Sequence, residues 1–143
     1  MKKLTPNLMV RDVSKTVEFY CNNLGFQLIM AVPDTQDGIL TEIHQSRNVV
    51  YALIGNGNVE IMLQSEESLK SDLPAMAGIS IGASVTLYIE IEDIGKFHAE
   101  NGPKVEVIKA LSTTWYGMNE FYIRDNNGYI LCFAEQAKQP DVP

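Results

Sequence analysis

One pattern occurs twice along this chain, and that constrains the fold more than any other feature. The first half reads NLMVRDVSKTVEFYCNNLGFQLIM and then VVYALIGNGNVEIMLQ; the second reads TLYIEIEDIGKFHAENGPKVEVIKAL and then NEFYIRDNNGYILCFAEQ. Each half is an alternating strand, an acidic helix start, a helix ending at Asn and Gly, and a turn-centred hairpin. A duplicated module predicts an architecture with a site between the copies.

Strand alternation decides which side chains face the core, because successive residues point to opposite sides of a sheet. From Val85 to Glu92 the parity is nearly perfect, with Val85, Leu87, Ile89 and Ile91 on one face and Thr86, Tyr88, Glu90 and Glu92 on the other. Val59 to Gln64 repeats it, and Leu4 to Val10 does so less cleanly, with Leu8 and Val10 set against Thr5, Asn7 and Met9. Near the C-terminus Tyr129, Leu131 and Phe133 alternate with Ile130, Cys132 and Ala134, where both faces are apolar.

A helix follows the first strand of each half. Asp12 or Ser14 caps the first, whose Val13, Val17, Tyr20, Cys21 and Leu24 recur at helical spacing before a left-handed stop at Gly25. Asp93 caps the second, with Ile94 and Phe97 inward and Asn101-Gly102 ending it before Pro103. Gly55-Asn56-Gly57-Asn58, between strands at Val49–Ile54 and Val59–Gln64, and Asp125-Asn126-Asn127-Gly128, between strands at Phe121–Arg124 and Tyr129–Phe133, each read as hairpin turns. Ser65 to Leu73 reads as a short capped helix, and Pro33 to Asn48 as an insert without a clear pattern.

The order strand, helix, strand, strand, strand in each half gives an α+β fold, with helices covering one face of a mixed sheet. The chain divides into a first module at 1–73, a linker at 74–82, a second module at 83–137 and a tail at 138–143. Two such sheets can curl into a cup. The face opposite the helices carries Thr5, Asn7, Met9, Glu60, Met62, Gln64, Thr86 and Tyr88, and a ligand would contact that face.

Composition narrows the function. Eighteen acidic against 11 basic side chains give a net charge of −7, and the scattered Lys and Arg form no footprint for nucleic acid. The acidity mildly favours a cationic ligand. No apolar run approaches the roughly 20 residues of a membrane span, and Pro6, Asn7, Arg11 and Asp12 interrupt any signal-like segment after Met1-Lys2-Lys3. Cys21 and Cys132 stand far apart without CxxC spacing, the usage of a reduced compartment, so a cytoplasmic location is expected.

Val10-Arg11-Asp12-Val13 running into Phe19-Tyr20 and Leu24-Gly25-Phe26, then Val59-Glu60-Ile61, then Tyr122-Ile123-Arg124-Asp125-Asn126-Asn127-Gly128-Tyr129, together resemble the vicinal oxygen chelate superfamily. That group includes glyoxalase I, extradiol dioxygenases, and fosfomycin- and bleomycin-resistance proteins. The resemblance covers almost the whole chain. It implies two βαβββ modules forming a cup, with a homodimer as the usual assembly. Enzymes of the group use a divalent metal as a Lewis acid, held by one His or Glu from each of four central strands. Laid on this chain, those positions fall at Thr5, Glu60, Thr86 and Cys132, of which only Glu60 is the expected type. Threonine hydroxyls are poor ligands beside imidazole or carboxylate, so no cofactor is expected, with a divalent metal as the alternative.

Glu60 is the candidate catalytic residue, as a general base or a hydrogen-bond acceptor for substrate; a carboxylate paired with the Thr5 or Thr86 hydroxyl is the competing reading. Asn7, Met9, Met62, Thr86, Tyr88, Trp115 and Tyr116 are candidate ligand contacts. Trp115 and Tyr116 precede Gly117 in a loop, where stacking on a ligand competes with core packing. His44 and His98 have no evident partner for catalysis, and Cys132 lacks a nearby base, which favours an inert thiol. The expectation is a small-molecule-binding protein resembling the bleomycin-resistance branch. The alternative is a metal-dependent lyase, isomerase or dioxygenase of the glyoxalase kind with a degenerate site.

Overall fold

Asp12 and Gly25 mark the first helix. Asp12 is extended at φ −136° and its carboxylate accepts from the Lys15 N–H at 2.9 Å, while Gly25 at φ 73° turns the chain out and donates to the Tyr20 carbonyl. Asp12 rather than Ser14 is therefore the cap. The computed structural model describes residues 1–139, so the end of the expected tail, 140–143, lies outside the described residues. The chain forms two units, Met1–Ile81 and a second beginning at Gly82.

In the first unit β1 (Asn7–Val10) leads into α1 (Val13–Leu24), followed by β2 (Gln27–Pro33), β3 (Val49–Asn56), β4 (Val59–Ser65) and α2 (Glu66–Asp72). The sheet order is β1-β4-β3-β2, with β1 parallel to β4 and the other pairs antiparallel. Val13, Thr16, Val17, Tyr20 and Leu24 are buried on α1, where Tyr20 meets Phe26 edge-on at 5.4 Å. Leu8, Val10, Ala52, Ile54, Ile61 and Leu63 form the apolar side of the sheet. Ser65 caps α2 by accepting from the Ser68 N–H at 3.3 Å, and a 3₁₀ turn at Pro74–Met76 follows.

The second unit repeats this plan with β5 (Thr86–Glu90), α3 (Ile94–Asn101), β6 (Glu106–Thr113), β7 (Met118–Arg124) and β8 (Ile130–Gln136), ordered β5-β8-β7-β6. Phe97 of α3 packs 4.7 Å from Phe133 and 6.2 Å from Phe121 between ring centroids. Helix α3 thus covers the face that also carries Ile89, Ile123 and Leu131, all buried. Both expected βαβββ modules are present.

Three expectations change. Val85 is 63% exposed and precedes β5, so it packs under no helix. The first strand begins at Asn7, because Pro6 has no N–H to give the ladder; its carbonyl accepts from the Met62 N–H at 2.9 Å. Thr5 therefore precedes the strand.

The third change is in register. Asn7 lies opposite Met62, and Tyr88 opposite Cys132. Asn7 stands five residues before the Asp12 cap, as Tyr88 stands five before Asp93, so Asn7 corresponds to Tyr88 and Met62 to Cys132. Glu60 corresponds to Ile130, two places from the position the resemblance assigned to it. The hairpin turns cause the slip: Gly57-Asn58 joins β3 to β4, whereas 125–129 joins β7 to β8. Counting from the turn therefore misaligns the copies.

Candidate functional site

In the second unit, the sheet face opposite α3 collects polar side chains from three strands and one turn. Cross-strand partners share a face, and Tyr88, Cys132 and Tyr122 are successive partners across β5, β8 and β7. Glu120 lies two residues before Tyr122 and so projects to the same side. The β6–β7 turn brings Tyr116 over it, with Gly117 at φ 84° supplying a left-handed conformation that costs other residues strain.

Glu120 is the centre of this group. It is 2% exposed, and its Oε1 accepts from the Tyr88 hydroxyl at 2.8 Å. The Tyr116 hydroxyl lies 2.9 Å from both Oε1 and Oε2 and shares its proton between them. Both rings remain open to solvent, Tyr88 at 48% and Tyr116 at 53%. Two half-exposed tyrosines thus bond a carboxylate that is itself buried.

The phenols are held in their donor form. Desolvation, followed by the hydrogen bond to Glu120 and its charge, raises the Tyr88 pKa above the ordinary phenol value, and the bond to Glu120 raises that of Tyr116. A hydrogen bond to Cys132, then desolvation, pushes Tyr122 up to about 12. Burial raises the Cys132 thiol too, partly offset by the Tyr122 hydroxyl. A buried thiol with a raised pKa is a poor nucleophile, which agrees with the inert reading of Cys132. The Lys109 ammonium lies 5.5 Å from the centroid of the Tyr122 ring, so this face already attracts a cation of its own.

Trp115 is 95% exposed and meets Tyr116 edge-on at 5.3 Å, so it is not part of the core. Thr86 is exposed at the start of β5. Of the expected contacts, Tyr88 and Tyr116 meet at Glu120, and Trp115 adjoins them. Glu120 and Tyr122 were missed. The expected strand began at Phe121 and left Glu120 outside it, whereas the alternation of Glu120 and Tyr122 with buried Phe121 and Ile123 carries the parity signal that would have found both.

The first unit treats its expected residues differently. Glu60 forms an ion pair with Lys3, with its side chain 28% exposed, rather than bonding to a threonine hydroxyl. The Asn7 amide donates to Gln64 Oε1 at 2.9 Å, and Gln64 Nε2 donates to Ser68 Oγ at 2.9 Å and Asp72 Oδ2 at 2.8 Å. That chain of bonds fastens α2 to the sheet and engages Asn7 structurally. Met9 is buried, and Met62 is half-buried opposite Leu53. A cleft of about 590 Å³ opens at the start of α1, lined by Arg11, Asp12, Lys15, Asp34 and Arg47 among others, but by none of the expected site residues.

His44 is exposed, with Nε2 3.9 Å from a Glu42 oxygen, and His98 packs edge-on against Phe121 at 4.9 Å on the helix side. Among the described residues no group of three or more His, Cys, Asp or Glu side chains could hold a metal ion. No helix among them is long and apolar enough to cross a membrane.

Residues 4–133 match the family model of the Glyoxalase/Bleomycin resistance protein/Dioxygenase superfamily. Bleomycin resistance proteins of Geobacillus stearothermophilus and Staphylococcus aureus are 23% identical to this chain, over 96% of it and 99% of theirs. Among solved structures, TioX from Micromonospora sp. ML1 is similar with a TM-score of 0.69 at 13% identity, covering 95% of this chain and 99% of that one. A glyoxalase/bleomycin resistance protein/dioxygenase family enzyme from Burkholderia phytofirmans PsJN gives a TM-score of 0.65 at 17% identity, covering 90% and 93%. At these identities the structural likeness concerns the fold.

Proposed function

The chain belongs to the Glyoxalase/Bleomycin resistance protein/Dioxygenase superfamily, and on that premise we propose that it is a small-molecule-binding protein of the bleomycin-resistance kind that works without a catalytic metal. The observation that carries this reading is the Glu120 cluster, in which a buried carboxylate accepts hydrogen bonds from two half-exposed tyrosines.

The residues at the metal positions suit a metal poorly. Thr5 and Thr86 offer neutral hydroxyls, Glu60 is engaged by Lys3, and Cys132 is a buried thiol whose raised pKa opposes the thiolate a metal requires. By register Glu60 corresponds to Ile130, and its own module carries Met62 where the second carries Cys132. Binding then falls to this chain's own groups. Glu120 accepts hydrogen bonds, Tyr88 and Tyr116 orient it, and the exposed rings with Trp115 supply apolar contact. The homodimer implied by the resemblance is part of the proposal and is read by analytical ultracentrifugation.

Two measurements on one sample test the function. A fragment screen by ¹H–¹⁵N NMR is expected to shift the Trp115 indole and the amides of Tyr88, Tyr116, Glu120 and Tyr122. Turnover of hemithioacetals or catechols after loading with nickel, zinc, manganese or iron is expected to be absent. Metal-dependent turnover, or fragment binding only elsewhere, would overturn the reading.

A further inference from the structure

Glu120 is short of positive charge. Among the described residues it forms no ion pair, although it is 2% exposed. A buried carboxylate without a cation is costly even when neutral donors reach it. An ionised carboxylate offers about four lone-pair sites, and Tyr88 and Tyr116 bring one proton each. On that count, two lone-pair sites have no donor among the described residues.

The surroundings suit a particular kind of donor. Tyr88 and Tyr116 are each about half exposed, and aromatic faces attract cations through their quadrupole. Lys109 over Tyr122 exemplifies this on the same face. A net charge of −7 raises the local concentration of cations and lowers that of anions. Both phenols stay protonated at neutral pH, so they neither add charge nor lose their grip on Glu120.

We infer that the Glu120 face binds an organic ammonium or amidinium, its N–H groups on the Glu120 oxygens and its hydrocarbon against Tyr88, Tyr116 and Trp115. This rests on the small-molecule-binding reading and names its ligand class. The N–H groups matter: a quaternary ammonium can use the rings but cannot fill the vacant acceptor sites.

The test uses four probes of one size on the intact protein: benzylammonium, benzamidinium, benzyl alcohol and benzoate. Affinities are read by NMR titration at the Trp115 indole, beside the fragment screen. Both cations are expected to bind about tenfold or more tightly than benzyl alcohol, as they add charge attraction to the carboxylate and to the aromatic faces that a neutral hydroxyl lacks, and benzoate least. Glu120→Gln should erase that preference. Should Glu120→Gln not fold, Tyr116→Phe keeps the carboxylate and ring while freeing acceptor sites, and is expected to tighten benzylammonium about twofold or more relative to benzyl alcohol. Equal affinities for cations and alcohol, a cation preference that survives Glu120→Gln, or no tightening in Tyr116→Phe would overturn the inference. Fragments that bind this face without favouring cations would remove the ligand class and leave the binding function standing. Absence of any binding there would remove both.

Discussion

At the level of single residues, two carboxylates differ in their surroundings. Glu60 is half-buried and paired with Lys3, whereas Glu120 is buried and held by phenols alone. Only Glu60 stood out in the sequence, because an acid in an otherwise apolar strand draws attention and Glu120 fell just before the expected start of β7. Replacing Glu60 by Gln removes a partly exposed ion pair, so a loss of about 0–1 kcal/mol is expected, with benzylammonium affinity unchanged; urea denaturation and the NMR titration measure both. Cys132 is fully buried and Cys21 is only partly so. Iodoacetamide at pH 8 is expected to modify Cys21 well before Cys132, as mass spectrometry of timed digests would reveal. Tyr88 was legible as a face residue from strand parity alone, while its partner on Glu120 was not, since a hydrogen bond across β5 and β7 spans 32 residues.

Elements add constraints that parity cannot express. The N-terminus of α3 is held from outside: Glu135, at the end of β8, accepts from the Asp93 N–H at 2.9 Å and the Ile94 N–H at 3.0 Å. Those backbone donors lower the Glu135 pKa below the ordinary carboxylate value. A carboxylate with a depressed folded pKa contributes stability that is present above its unfolded pKa and lost as pH falls through the folded one. Wild-type protein should therefore lose more stability than Glu135→Gln between pH 6 and pH 3, measured by denaturant midpoints at each pH. The Asp93 cap was readable from its place before Ile94, but the role of Glu135 was not, because it lies 42 residues away.

The hairpin turns show the same division. Asn-Gly and Asp-Asn-Asn-Gly announce a turn, yet not its length, and the length decides register. Asp125 builds the second turn by accepting from the N–H groups of Asn127 at 2.8 Å and Tyr129 at 2.9 Å while almost fully buried. Asp125→Ala would leave both donors without this partner, so a loss of about 1–3 kcal/mol is expected, read from urea denaturation.

Over the whole molecule, the duplication made the two modules and the family legible, since the copies share element order and cap spacing. The distribution of chemistry between the copies was less so. Corresponding positions carry Tyr51 and Glu120, Leu53 and Tyr122, Met62 and Cys132, and Asn7 and Tyr88. One module's face thus mixes a phenol, an aliphatic chain, a thioether and an amide, whereas the other's carries a carboxylate, two phenols and a thiol. Sequence parity treats such faces alike, and register separates them. The net charge of −7 has a consequence at this scale as well: benzylammonium should bind more weakly as salt rises, because screening shortens the reach of the acidic surface, whereas benzyl alcohol should be insensitive. Titrations at low and high sodium chloride measure the difference.

The most direct test of a binding face in place of a metal centre is the metal content of the intact protein, purified without a histidine tag from metal-replete cells and measured by mass spectrometry. Nickel, zinc, manganese and iron together are expected well below one per chain and unchanged by Glu60→Gln or Cys132→Ala. One bound metal per chain, lost in either variant, would contradict it.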